Sequence, residues 1–221
     1  MSGGKRFKFQ GSQIALVTGF DDNSPSKVIS GATQADPCVI TVNSHGVASG
    51  SYAVGRVRGV GGMTELNDEV FILEYVSANT LRLVGVDATG YGAYTSAGAL
   101  DLATFSNFCE LTGYNRQGGS KNENDASSLC SDAKEFELGL PDFGTTQLDF
   151  FFAPRTAIQT AMKSFDESGD KMAVKVILPK NGGEMVQLGF VQQLSEQAAV
   201  DGLWTASMTI RNTGVRYDRA A

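Results

Sequence analysis

The sequence predicts a mainly β protein: a sandwich or barrel with one amphipathic helix over it, and a second small β-barrel unit inserted into it. Three observations predict this. Glycine is abundant at 26 residues and proline scarce at 5 of 221, a mixture that suits many strands joined by tight turns. Short runs rich in Val, Ile, Thr, Phe and Tyr recur, punctuated by Gly, Asn and Asp. A single stretch, from Pro154 to Phe165, carries apolar side chains at helical spacing.

The elements follow in order. Residues 5–17 end in an apolar/polar alternation that predicts a strand, and 19–27, with Asp, Asn, Ser and Pro, predicts a turn. Strand runs are then read at 39–40, 52–54, 70–76 and 80–84. In the last 120 residues a strand at 104–112 precedes a Gly-, Asn- and Ser-rich stretch, 113–128, whose length without apolar periodicity predicts a long loop. Strands recur at 134–138 and 146–152, with a turn at 139–144 between them. The helix opens near Pro154, presents Ala157, Ile158, Ala161, Met162 and Phe165, and stops at 167–170. Three strands close the chain, at 174–178, 184–191 and 203–211; in the last, Trp204, Ala206, Met208 and Ile210 share one face and Thr205, Ser207 and Thr209 the other. The order predicts a discontinuous domain, 1–27 with 102–221, interrupted by an insert at 28–101.

Composition narrows function before any motif does. The formal charge of −6, with 18 Lys and Arg against 24 Asp and Glu, argues against a protein built to grip nucleic-acid phosphates and suits a conduit that must not hold them. The acidity is spread: the insert alone carries three arginines against seven carboxylates. Cys38, Cys109 and Cys130 are odd in number and lack CxxC spacing, so buried thiols in a reducing compartment are expected. The start has no apolar secretory core and no run of 18 apolar residues occurs, so neither export nor a membrane anchor is expected.

Catalytic chemistry finds little to work with. His45 is the sole histidine, which removes HExxH sites and His-based triads and leaves a turn residue in Asn43–Gly46. The glycines of 59–64 lack phosphate-loop spacing, and the segment from Asp87 lacks the ligand pattern of a calcium loop. Asp21/Asp22 and Asp68/Glu69 read as solvated pairs. No catalytic, cofactor-binding or metal-binding residue is nominated, and the chain reads as no enzyme. The three phenylalanines Phe150–Phe152 must face both sides of one strand, which requires either a central strand covered on both sides or a neighbouring subunit over the second face.

Residues 125–152, the segment 139–144, the helix near Pro154 and the following runs resemble, in that order, phage major tail tube proteins of the long, flexible, non-contractile kind. The resemblance is weak over 1–27 and good over 102–221. The insert, through 59–83 and 87–98, resembles the small β-barrel half-domain first described in ubiquitin-activating enzymes, here without the adenylation and catalytic-cysteine regions. The tail tube resemblance implies a virion structural protein, assembled in the bacterial host cytoplasm. Its copies would close into hexameric rings stacked into the conduit for DNA ejection. It also implies tail terminator, tape measure and distal tail proteins as partners, passing DNA without specific binding, no membrane and no cofactor. Within it, Glu135, Glu137 and Asp149, opposite Phe136, Leu138 and Phe150 in the strand alternation, are the bore-lining candidates. The polar stretch contributes Tyr114, Asn115, Arg116, Lys121, Asn122, Glu123 and Asn124 as candidates for contact between rings. The competing function is a surface-binding β module, glycan- or host-binding and adhesin-like, for which one tryptophan and six tyrosines supply few groove aromatics.

Overall fold

The structure is a computed structural model and describes residues 6–21 and 27–220. Its strands are β1 (Gln13–Phe20), β2 (Lys27–Ala32), β3 (Val39–Val42), β4 (Tyr52–Arg58), β5 (Glu69–Ser77), β6 (Thr80–Leu83), β7 (Ala99–Asn107), β8 (Leu111–Gln117), β9 (Lys121–Asp125), β10 (Phe136–Pro141), β11 (Thr145–Phe151), β12 (Met172–Ile177), β13 (Glu184–Gln197) and β14 (Thr205–Arg219); α1 spans Ala157–Ser168. Strand accounts for 52% of the chain and helix for 7%, so the protein is mainly β. Most of the turn expected at 19–27, with Asp22, lies outside the described residues.

All strands but β9 and β10 join one sheet, ordered β2-β3-β6-β5-β4-β7-β1-β12-β13-β14-β11-β8, and an additional pairing of β2 with β7 closes its first six strands into a small barrel. The barrel interior is a cluster of its own, from Ile29, Ile40, Val57, Met63, Leu66, Leu73, Leu81, Leu83 and Leu100. Closure satisfies every strand edge within it, which lets so short a segment hold a core.

The remaining strands run from β7 to β8, the two ends of a seven-strand series. Laid flat, those ends would stand about 29 Å apart at the usual strand spacing. Only Phe108–Glu110 connect them, a link that reaches at most about 14 Å. The sheet must therefore roll, and the rings of Phe108 and Phe150 meet across it with centroids 5.0 Å apart. The enclosed core includes Ile14, Leu16, Leu148, Phe150, Val174, Met208 and Ile210, with Ile158, Met162 and Phe165 of α1. The helix begins later than the periodicity predicts. Thr156 is its N-cap, accepting from the Gln159 amide, and Gly169 ends it in a left-handed conformation at φ 71°. Ala157 is consequently exposed.

Barrel and roll are fastened to each other. β7 pairs with β2 and β4 through its first residues and with β1 through its last. Tyr52 donates its hydroxyl to Glu184 Oε2 at 2.8 Å and packs on Tyr217 at 5.2 Å. Lys171 is ion-paired with Glu69, and the Arg56 guanidinium lies 4.9 Å over the Phe20 ring. The expected junction between 101 and 102 thus falls inside β7, a strand that serves both halves.

Several sequence expectations change. The strand read at 104–112 is two strands, because Phe108 leaves the line to donate its N–H to Ile14 O at 2.7 Å and bury its ring. His45, expected as a turn residue, directly follows the turn at Asn43 and Ser44 and is buried: its Nε2–H faces Ser77 O at 2.7 Å while Nδ1 accepts from the Val47 N–H at 3.0 Å. Cys38 is buried, its thiol pushed up by desolvation, but Cys109 and Cys130 are exposed. Trp204 precedes its strand and is exposed, whereas Ala206, Met208 and Ile210 are buried as the alternation requires.

Two predictions follow from the β7 region and the Tyr52 contact. Asp101 on β7 is fully buried and paired with Arg58 of β4, so Arg58→Met leaves an uncompensated buried carboxylate and should cost about 3 kcal/mol of unfolding free energy in urea titration. The Tyr52 phenol is held above its ordinary value by burial and then by its bond to Glu184. Its raised value stabilises the fold fully below about pH 10, and that contribution is lost as pH climbs toward the folded value. Tyr52→Phe should lower stability at pH 8 and flatten its decline above pH 10, measured by denaturant midpoints across pH.

Candidate functional site

Two surfaces built from β8 to β14 stand out. The first is the outward face of the β8-β11-β14-β13 part of the sheet. On β11 the alternation buries Thr146, Leu148 and Phe150 and turns out Thr145, Gln147, Asp149 and Phe151. Register places Gln117, Asn115 and Gly113 of β8 beside the first three of these, and Arg211, Thr209, Ser207 and Thr205 of β14 beside all four. Gln193, Ser195 and Gln197 of β13 extend the rows. Among these only Asp149 and Arg211 are charged. Three of the others are held by local hydrogen bonds: Gln147 donates to Asp149 Oδ1 at 3.0 Å, and the Ser195 and Ser207 hydroxyls meet at 2.8 Å. An open groove of about 480 Å³ runs between Thr112, Asp149, Ser195, Glu196, Gln197, Thr205 and Ser207. Such a face offers hydroxyls and amides to a passing polymer and almost no fixed charge to hold one.

The second surface is an arm. The polar stretch expected as a loop is mostly strand: Tyr114, Asn115 and Arg116 lie in β8, and Lys121, Asn122, Glu123 and Asn124 in β9. β9 pairs antiparallel with β10, Phe136 opposite Asp125 and Leu138 opposite Glu123. The backbone supplies a ladder where the side chains supply no periodic signal, so the polar sequence hides the strand. The segment 139–144, expected as a turn, is half β10. The hairpin continues the β8–β11 pair outward, and every β9 residue is exposed.

The base of the arm is tight. A Cβ at Gly119 would lie 1.6 Å from Asp142 O, and one at Gly144, whose φ is 77°, would lie 2.3 Å from Gln117 O. Asp142 accepts the Gly144 N–H at 2.8 Å and an Arg211 N–H at 2.8 Å, tying the arm to β14.

The bore-lining candidates therefore separate. Asp149 lies on the polar sheet face, while Glu137 is in β10 and Glu135 just before it, both exposed on the arm. The inter-ring candidates also divide. Tyr114 and Arg116 face the core side of β8, where the Tyr114 phenol is pushed up by burial against the opposing effect of Arg116 and Arg216, and Arg116 reaches Gln187 Oε1 at 3.4 Å. Asn115 shares the exposed polar face, and the other four belong to the arm. Sequence reasoning read the Thr205, Ser207 and Thr209 face of β14 but missed the Gln193, Ser195 and Gln197 row of β13 and the register that joins both to Asp149.

Among the described residues no group of three His, Cys, Asp or Glu could hold a metal ion, and no helix is long and apolar enough to cross a membrane. A rolled sheet with a sparsely charged polar face and a projecting hairpin defines the class as a mainly β protein with two exposed surfaces. A sequence model of the phage tail tube protein family matches residues 61–216, and the chain belongs to that family. It is a family of virion tail structural proteins and not of enzymes, whose members self-assemble into a tube with other tail components. Among solved structures, the SPP1 tail tube determined by solid-state NMR and cryo-EM is similar at 10% identity and a TM-score of 0.42, over 53% of this chain and 69% of its own. Among curated proteins none matches the chain in sequence.

The arm base generates a prediction. Gly119→Ala forces the hairpin off its seat and should cost about 1–3 kcal/mol locally. Limited proteolysis should cut residues 118–142 several-fold faster than in the parent, with the thermal midpoint nearly unchanged; equal cutting rates would show that the arm does not depend on this approach.

Proposed function

We propose that this protein forms the conduit of a phage tail as stacked hexameric rings, with the Asp149 face of β8, β11, β14 and β13 lining the passage for DNA. The observation that carries the reading is that face itself, four strands wide and bearing only Asp149 and Arg211 in its rows, with Glu196 beside the groove. DNA slides past hydroxyls and amides that exchange hydrogen bonds with water at little cost, and no fixed cation row is present to hold phosphates. β8 is the sheet's free edge, so a neighbouring copy that pairs along it relieves unpaired backbone groups and extends the sheet around a ring.

The arm serves contact between successive rings, which gives Lys121, Asn122, Glu123 and Asn124 the role of axial rather than lateral residues. Glu135 and Glu137 then belong to the same axial contact and Asp149 alone to the bore. The barrel of 28–101 forms a module on the outside of the tube, similar to the ubiquitin-activating half-domain in being a small closed barrel and carrying none of that enzyme's chemistry. Assembly takes place in the host cytoplasm, and the tail terminator, tape measure and distal tail proteins are the other partners.

Electron microscopy of the purified chain tests the assembly: hollow tubes with six-fold end views are expected, and a persistent monomer at high concentration would overturn it. The bore is tested by Asp149→Lys with Thr209→Lys. Virions built from this variant should eject DNA more slowly than the parent at low salt and at the parental rate at high salt, because ions screen the new phosphate attraction. Parental kinetics at every ionic strength would place this face away from the DNA.

A further inference from the structure

The arm leaves the sheet at one end of the β8–β11 pair, where Gln117 faces Thr145; the other end lies at Leu111 and Phe151, about 20 Å away at the strand rise. At that far end the subunit leaves apolar side chains in water. Phe151 is 43% exposed, Trp204 55% and Leu203 73%. Phe151 and Trp204 are held in place: Phe152 packs on Trp204 at 5.6 Å and donates its N–H to Trp204 O at 3.0 Å, while Gln159 of α1 donates to Phe151 O at 2.8 Å. On the arm, Phe136 and Leu138 alternate onto one face of β10, Leu140 follows within a register shift between Leu138 and Pro141, and all three are exposed.

Resting on the tube reading above, we propose that the Phe151, Leu203 and Trp204 patch is the receptor for the exposed Phe136, Leu138 and Leu140 side chains on the arm of a second copy. A second copy is the occupant because this family builds tubes of repeated subunits, and because the two apolar surfaces sit at opposite ends of the same strands. A contact between two different patches at opposite ends is heterologous and does not close on itself, so it propagates as a stack. Burial of a rigid aromatic anchor supplies the attraction.

Charge works against it. Glu123 and Asp125 lie across the ladder from Leu138 and Phe136. At the receptor end Phe151 donates its N–H to the Glu110 carbonyl, and Asp149 lies two residues away. The axial contact is thus an apolar attraction opposed by like charges, and elongation strengthens as salt rises.

Trp204 is the only tryptophan in the chain, so the unmodified protein reports on its own receptor. Its emission should shift to the blue as tubes elongate, and elongation should quicken from low to high salt. Leu138→Ser with Leu140→Ser should raise the critical concentration for elongation at least about tenfold, the loss expected for one buried leucine, and should abolish the blue shift while ring formation persists. Leu203→Ser should produce the same elongation defect from the other side, with circular dichroism confirming the fold. Tubes that form while Trp204 keeps its solvent-exposed emission, or that elongate normally in either variant, overturn the receptor assignment and leave the tube reading intact. A parent chain that forms no tubes under any condition overturns both.

Discussion

The hydrogen bonding of β7 is the constraint on which the rest of the molecule depends. Its first residues pair with β2 and β4 and close the barrel, while its last residues pair with β1 and open the roll. Because one extended segment cannot bend freely between those duties, the two halves share a sheet and an orientation. The buried Asp101 sits at this crossing, paired with Arg58, and the Tyr52–Glu184 and Lys171–Glu69 contacts fasten the halves again at β13 and at the entry to β12. A barrel joined by a flexible linker would have none of these restraints, so here the barrel keeps a fixed orientation to the roll.

What the fold leaves uncovered is as informative as what it buries. The accessible surface is 12,754 Å², above the roughly 10,000 Å² that size scaling gives a compact monomer. Part of the excess is an arm with no core of its own, and part is an apolar patch at the opposite end of the same strands. A monomer has no use for either and keeps a solubility cost for both. The tube proposed above would use both, with the polar sheet face between them turned to its lumen.

The helix, buried strands such as β1, β11 and β14, and the mainly β class were legible because burial imposes a period on side chains. Ile158, Met162 and Phe165 recur at helical spacing because one face of α1 meets the core. Leu148 and Phe150 alternate with Gln147 and Asp149 because one face of β11 does. β8, β9 and much of β10 were illegible for the same reason reversed. Their residues bury little, so nothing in the side-chain pattern records that their backbones pair. Glu135 and Glu137 seemed to share a face with Asp149 only because alternation says which side of a strand a residue occupies, and not which sheet the strand joins.

By itself the sequence determined composition, charge, the periods of burial and the absence of residue sets for catalysis, all properties that local spacing and side-chain chemistry decide. The tertiary structure alone decided that Phe108–Glu110 curl the sheet, that His45 is buried, and that β2 and β7 close a barrel. It also decided that Phe151 and Trp204 stand at the far end of the strands from the arm. These depend on pairing between residues distant in the chain. Backbone hydrogen bonds make that pairing, and they are nearly the same for every residue type, so they leave no mark in the sequence.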